Sequence, residues 1–266
     1  MAFPSDTLSL PLAHRDLGGG DKPPLVILHG LLGSSRNWQS VGRDLSGHRR
    51  VHALDLRNHG LSPHSAVMSY GAMAADVAAW IESQGIGAFE LMGHSMGGKV
   101  AMMVACALPR QVRRLIVVDI APRRYHWPTR RAEFAAMRAI DLGRLASRAE
   151  AEALLVPAVP DWAMRKFLTT NLERAESGAW RWAVNLPVIE AALSDLEANP
   201  LFPGDRYEGE TLFVAGGQSD YIRPEDHAGI RTHFPESRIA TLAESGHNPH
   251  MDAREAFVRA LGPRDS

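Results

Sequence analysis

Phe89-Glu90-Leu91-Met92-Gly93-His94-Ser95-Met96-Gly97-Gly98-Lys99-Val100 is the stretch on which the fold turns. A short apolar strand runs into Gly-His-Ser-Met-Gly, and a helical run over 98–108 follows. Gly-x-Ser-x-Gly between a strand and a helix is a nucleophile elbow: the small neighbours let the backbone double back and lift the serine hydroxyl to the top of a sheet. Ser95 is therefore the candidate nucleophile. The Met96 N–H, opening the helix, is a candidate donor to a developing oxyanion. The competing reading is a glycine-rich strand-to-helix turn without chemistry.

Working outward, the same alternation repeats on both sides. Leu25-Val26-Ile27-Leu28 is a continuous apolar run, as expected for a strand covered on both faces. Further strands are predicted over 51–56, 115–120, 211–215 and 238–242, and helices over 37–45, 69–83, 226–234 and 254–261. An opening strand is expected over 7–15, followed by a break at Asp21-Lys22-Pro23-Pro24. Strand–helix units at this spacing predict an α/β fold, a mostly parallel central sheet with helices on both faces. Between Tyr125 and Pro200 the texture changes: Val-Ile runs vanish, and Ala, Arg, Glu and Trp dominate. Helices are expected there over 129–140, 144–153, 160–170 and 187–197. The chain thus divides into a core of 1–122 and 201–266 and a helical cap inserted over 123–200. Of the cap aromatics, Tyr125, Trp127 and Trp162 are candidate walls of a substrate pocket.

Composition excludes several classes of function. A formal net charge of −1 offers no basic field for nucleic acid. The Arg49-Arg50, Arg113-Arg114 and Arg123-Arg124 pairs flank apolar runs and are expected on solvated sheet rims. A single cysteine, Cys106, rules out an internal disulfide framework and falls in a helical apolar run, where it is expected in the core. No uncharged apolar window approaches the roughly 18 residues of a membrane span. No signal-peptide pattern is evident, so a cytoplasmic location is expected. The 12 histidines carry no His-Glu-x-x-His pattern, and the glycines after Met92 lack both the Gly-Lys-Ser/Thr ending of a phosphate loop and dinucleotide spacing. No metal and no cofactor are therefore expected.

A serine hydroxyl needs a base within reach, and the base needs an orienting group. His247, in the loop after the last strand, is the candidate base, with His250 its near competitor. Two aspartates between Ser95 and His247 can orient it: Asp119, at the end of the strand after the elbow, and Asp220, after the strand over 211–215. Chain order admits both, and the later loop is the more usual place in a doubly wound hydrolase. An unpaired carboxylate flush with the apolar strand at Asp119 would be costly, which points to a paired role there too. Leu31 N–H, in the loop after the first buried strand, is the second oxyanion donor. His29 is expected to shape that loop and His94 to wall the pocket. Asp55 and Arg57 are expected to tie loops together as an ion pair.

These pieces resemble the α/β-hydrolase superfamily, and within it the small bacterial esterases and the mitochondrial abhydrolase-11 group. The resemblance spans about residues 24–260 and rests on His29-Gly30-Leu31-Leu32-Gly33-Ser34, Asp55-Leu56-Arg57-Asn58-His59-Gly60, Gly93-His94-Ser95-Met96-Gly97-Gly98-Lys99, Asp119-Ile120-Ala121-Pro122 with Tyr125, Gly216-Gly217-Gln218-Ser219 and Gly246-His247. It implies a helical cap, no cofactor, and cleavage of small to medium carboxylic esters, sometimes acyl thioesters. It favours Asp119 as the acid, although this chain departs from the pattern with Gln218 in place of asparagine and Asp220 directly after Ser219. The expected partner is a small-molecule ester, and a monomer and a dimer are equally compatible with the sequence. Rival chemistries on the same scaffold are those of a perhydrolase, a lactonase or a C–C bond hydrolase, and further off a non-catalytic binding module.

Overall fold

Residues 8–20, 23–47 and 49–262 are described in a computed structural model. Thr7 in the expected opening strand, the Asp21-Lys22 break and His48 lie outside them. The core opens with β1 (His14–Asp16) and β2 (Leu25–Leu28), then a 3-10 turn (Ser35–Trp38) running into α1 (Gln39–Leu45). β3 (Val51–Leu54), α2 (Tyr70–Ser83), β4 (Phe89–His94), α3 (Met96–Ala107) and β5 (Val112–Val118) follow. The cap region holds α4 (Pro128–Ala139), α5 (Arg148–Leu155), α6 (Trp162–Thr169), β6 (Leu172–Arg174), β7 (Trp180–Trp182), α7 (Leu186–Ala191) and α8 (Leu193–Glu197). The chain then returns through β8 (Glu210–Gly216), α9 (Asp226–His233), β9 (Ser237–Leu242), α10 (Pro249–Asp252) and α11 (Arg254–Leu261).

The main sheet has seven strands in the order β1-β3-β2-β4-β5-β8-β9. Within this sheet, among the described residues, the β1–β3 pairing alone is antiparallel. Successive residues of a strand face opposite sides. On β2, Val26 and Leu28 therefore pack with α2 and α3, and Leu25 and Ile27 with Trp38, Val41 and Phe257 on the other side. The two-sided burial explains why the strand reads as an unbroken apolar run. The strand order reverses at β2: β3 lies on one side of it and β4 on the other. In such sheets the crevice at the carboxyl ends of the strands beside the reversal is where ligands bind. Register aligns those ends: Leu28 pairs with Gly93, His94 with Val118, and Val118 with Val214. Ser95 N–H and Asp119 N–H extend the ladders to Val118 O (3.0 Å) and Val214 O (2.9 Å). His29, Ser95 and Asp119 therefore emerge side by side.

Three sequence expectations are corrected here. The cap is not helical throughout: β6 and β7 form an antiparallel hairpin, Leu172 opposite Trp182. Strands of three residues are too short to show an alternating pattern. The arginine pairs are not uniformly solvated. Arg49 is buried against Glu90, and Arg114 is 2% exposed with its guanidinium on Glu210 and the Leu261 carbonyl. Asp55 and Arg57 do not pair. Arg57 forks onto Asp76 (Nε–Oδ2 2.6 Å, Nη2–Oδ1 2.8 Å), both side chains buried, while Asp55 accepts the N–H groups of Ser35 and Leu61. Asp55 thus still ties two loops together, through backbone donors.

Candidate active site

Ser95 stands between β4 and α3 with φ 51° and ψ −119°, a left-handed conformation that a non-glycine residue adopts only when its surroundings impose it. The surroundings are visible at its glycine neighbours. A Cβ on Gly93 would lie 2.1 Å from the Gly97 carbonyl oxygen, and one on Gly97 would lie 2.4 Å from the His29 oxygen. Backbone fills the places where side chains would go, so the turn has no room to relax.

The Ser95 hydroxyl lies 3.1 Å from His247 Nε2, and His247 Nδ1 lies 2.8 Å from Asp119 Oδ2. The buried carboxylate fixes the tautomer: Nδ1–H donates to Asp119, leaving the Nε2 lone pair facing the hydroxyl. Asp119, fully buried and at φ 50°, also accepts Gly216 N–H at Oδ1 (3.0 Å) and the Ser219 hydroxyl at Oδ2. Burial lowers the His247 pKa below that of a free imidazole, and the hydrogen bond and charge of Asp119 oppose that shift. The ring is therefore neutral near pH 7, the state a proton acceptor requires. Asp220 stands apart. Its side chain is 89% exposed and lies 3.7 Å from Arg223. Its predecessor Ser219 is the residue of that loop that reaches inward.

His29 and His94 fasten the loops around the site. His29 Nε2 accepts Leu56 N–H (3.0 Å), so its Nδ1–H faces the Gly30 carbonyl (2.8 Å). His94 Nε2 contacts the His247 carbonyl at 2.8 Å and so holds the loop that carries the His247 imidazole. Desolvation keeps His94 well below its ordinary pKa. His250 does not compete for the base position: it stacks on Trp38 at 4.1 Å, and burial holds its pKa at about 3.

A cavity of about 200 Å³ opens on Ser95 and His247, with His29, Leu31, His94 and Trp127 in its wall. Met96, whose N–H begins α3, adjoins the nucleophile; the first N–H groups of a helix have no acceptor within it. Two cap expectations are corrected. Trp162 is 64% exposed, on the outward side of α6, while Met164 and Phe167 of that helix line the cavity. Tyr125 lies behind the wall, its hydroxyl accepting Ala121 N–H and donating to the Tyr221 carbonyl. The sequence reading missed Tyr221, whose ring stacks on His247 at 3.7 Å, and Arg130, which lines the cavity paired with Glu133 at 2.6 Å. No motif marks either. Ser219 was visible only as part of the Gly-Gly-Gln-Ser run.

Among the described residues no group of three His, Cys, Asp or Glu side chains is arranged to hold a metal ion, and no helix is long and apolar enough to cross a membrane. What the arrangement can do is take a proton from a serine hydroxyl at the wall of a cavity.

Comparison with known proteins bears on the fold and the family. Residues 23–254 match the alpha/beta hydrolase fold family. The zebrafish (Danio rerio) protein named sn-1-specific diacylglycerol lipase ABHD11 is 39% identical over 251 residues, covering 92% of this chain and 78% of that protein. Esterase YbfF of Escherichia coli K12 is 32% identical, covering 90% of this chain and 91% of its own length. Among solved structures, a marine microorganism esterase superposes with a TM-score of 0.92 at 37% identity, covering 95% of this chain and 98% of that one. With strand order, elbow and sequence in agreement over nearly its whole length, the chain belongs to the alpha/beta hydrolase fold family.

Proposed function

We propose that this protein is a carboxylesterase-type serine hydrolase, acting through an acyl-enzyme on small to medium apolar acyl esters. The observation that carries the proposal is the hydrogen-bonded line Ser95–His247–Asp119, held at a strained elbow and facing a cavity of about 200 Å³. As Ser95 Oγ attacks the ester carbonyl, its proton passes to His247 Nε2, and Asp119 stabilises the imidazolium. The N–H groups of Leu31 and Met96 receive the oxyanion, a contribution of roughly 10²–10³ in rate per donor in such sites. The imidazolium protonates the leaving alcohol. Water then attacks the acyl-enzyme with His247 as base, and the acid leaves as Ser95 regains its proton. The helical cap, which we delimit at 123–200 between core segments 1–122 and 201–266, supplies Trp127, Met164 and Phe167 to the acyl pocket. A cavity of about 200 Å³ suits short acyl groups, since typical drug-sized ligand pockets run from about 300 to 1,000 Å³. The esterase and lipase names of the relatives support ester substrates.

The test is hydrolysis of p-nitrophenyl esters from acetate to laurate by wild type, S95A, D119N and D220N. Activity is expected to vanish in S95A, to fall by about 10⁴ in D119N and to persist in D220N. The chain-length optimum is expected at the short end. Wild-type activity in S95A would remove the serine mechanism, and loss in D220N with D119N spared would move the acid to the later loop.

A further inference from the structure

Lys99 stands in the run behind the nucleophile and has no part in the chemistry above. It lies one helical turn beyond Ser95 on α3, its N–H 3.2 Å from the Ser95 carbonyl, and its side chain is fully buried. Its Nζ donates to three successive carbonyl oxygens, Leu196 (3.4 Å), Glu197 (3.2 Å) and Ala198 (2.6 Å). These close α8, where the chain leaves the cap for the core. Three aromatic rings surround the same ammonium: Tyr125 at 4.9 Å, Tyr70 at 5.4 Å and Trp127 at 5.7 Å. Tyr125 and Trp127 stand where the chain enters the cap. One side chain, anchored on the nucleophile helix, therefore touches both crossings between core and cap. Neighbouring bonds draw the crossings together: Tyr125 N–H to the Glu197 carbonyl (2.8 Å), Trp127 N–H to Glu197 Oε1 (2.8 Å), and the Tyr70 hydroxyl to the Leu196 carbonyl (2.7 Å).

A lysine is a costly occupant of this place. Burial lowers its pKa to about 7, with Arg123 and Arg124 pushing the same way and Glu197 opposing. An apolar side chain would avoid that desolvation. The surroundings are nonetheless those a cation prefers, since helix C-terminal carbonyls carry partial negative charge and aromatic faces attract ammonium groups. The consequences reach the active site by two routes. Trp127 is cavity wall, and Tyr125 stacks on Tyr221 (5.3 Å), which stacks on His247 (3.7 Å).

We propose that Lys99 is a positioning residue that fixes the helical cap over the Ser95 site by clamping both core–cap crossings, and so sets the acyl pocket. The proposal rests on the ester-hydrolase reading. It is tested by kcat and KM for p-nitrophenyl acetate and p-nitrophenyl octanoate in wild type, K99M, K99R and Y70F, with thermal melts to establish that each variant is folded at the assay temperature. In K99M the KM for octanoate is expected to rise about tenfold, the scale of losing a charge-assisted hydrogen bond. Its kcat, and both constants for acetate, are expected to stay near wild type. K99R, which keeps charged donors, is expected to recover part of the KM. Y70F, which removes one donor from the Leu196 carbonyl, is expected to move KM the same way by about two- to threefold, and it carries the test if K99M does not fold. A folded K99M with wild-type KM for both esters would overturn the proposal alone, as would an equal fall in kcat for both esters at unchanged KM. A wild type that hydrolyses neither ester would sink the hydrolase reading and this proposal with it.

Discussion

At the scale of the residue, the pH profile follows from opposing influences on His247. Burial lowers its pKa and Asp119 raises it, with burial the larger. Only the neutral ring accepts the Ser95 proton, so kcat/KM is expected to be on its plateau at pH 7 and to fall through a single acid limb with its midpoint below the ordinary histidine value of about 6.5. Replacing Asp119 with Asn removes the raising influence and leaves the burial. The midpoint of D119N is therefore expected to move further toward acid while the plateau drops. A midpoint that rises instead would show that Asp119 does not act on His247. The two acid candidates also show where the sequence stops being legible. Ser95 and His247 announce themselves by motif and chain order, but Asp119 and Asp220 both follow strands and both precede His247. What separates them is the pairing of β5 with β8, which brings Asp119 beside the Gly216 N–H and the Ser219 hydroxyl and leaves Asp220 outside. That pairing joins residues about a hundred positions apart, and no local pattern encodes it.

At the scale of the element, the elbow depends on α3 approaching β2 closely. A Cβ on Gly97 would meet the carbonyl oxygens of His29 and Leu28 at 2.4 and 2.6 Å. Both are backbone atoms, so the helix itself must shift. Overpacking of this kind costs about 1–3 kcal/mol, which lowers Tm by roughly 2–10 °C in a domain of this size. G97A is expected to lose that much and most of its activity, because the same shift displaces Ser95. Gly229, within α9 with nothing within 4 Å of its would-be Cβ, is the control. G229A is expected to gain about 0.5–1 kcal/mol from helix propensity. Equal melting temperatures for the two variants would contradict the account. Legibility among the elements tracks burial. Leu25–Leu28 and the apolar part of β5 were readable because both faces of the strand are covered, so no polar residue interrupts the run. The hairpin of β6 and β7 was not. Its residues Trp180 and Trp182 are only partly buried, and Arg174, whose guanidinium stacks on Trp180 at 4.1 Å, satisfies a local rather than a periodic need. The single turn α10 after His247 was missed for the same reason, being four residues of Pro-His-Met-Asp with no face to repeat.

At the scale of the whole molecule, the fold keeps several histidines neutral in its interior, and this sets its behaviour in acid. His59 and His250 are fully buried with pKa values held at about 3 by desolvation; His59 Nε2 accepts the Leu32 backbone N–H, and His250 is packed against Trp38. In the unfolded chain both return to about 6.5. Between those values the unfolded state binds protons that the folded state does not. Unfolding therefore takes up protons, and stability, intact above pH 6.5, is lost as the pH falls toward 3. Each ring contributes about 1.4 kcal/mol per pH unit once the pH is well below 6.5. Two such rings together are enough to consume a typical total stability of about 5–15 kcal/mol within a few units. Urea midpoints measured from pH 8 to pH 4 are expected to be flat above pH 7 and to fall with increasing slope below pH 6. His250→Phe separates this cause from general charge repulsion. It keeps an aromatic ring against Trp38 and abandons no hydrogen bond of Nδ1, which has no partner among the described residues. The slope of stability against pH is expected to shrink by about 1.4 kcal/mol per unit in that variant. Parallel curves for H250F and wild type would mean that acid unfolding is driven by other groups.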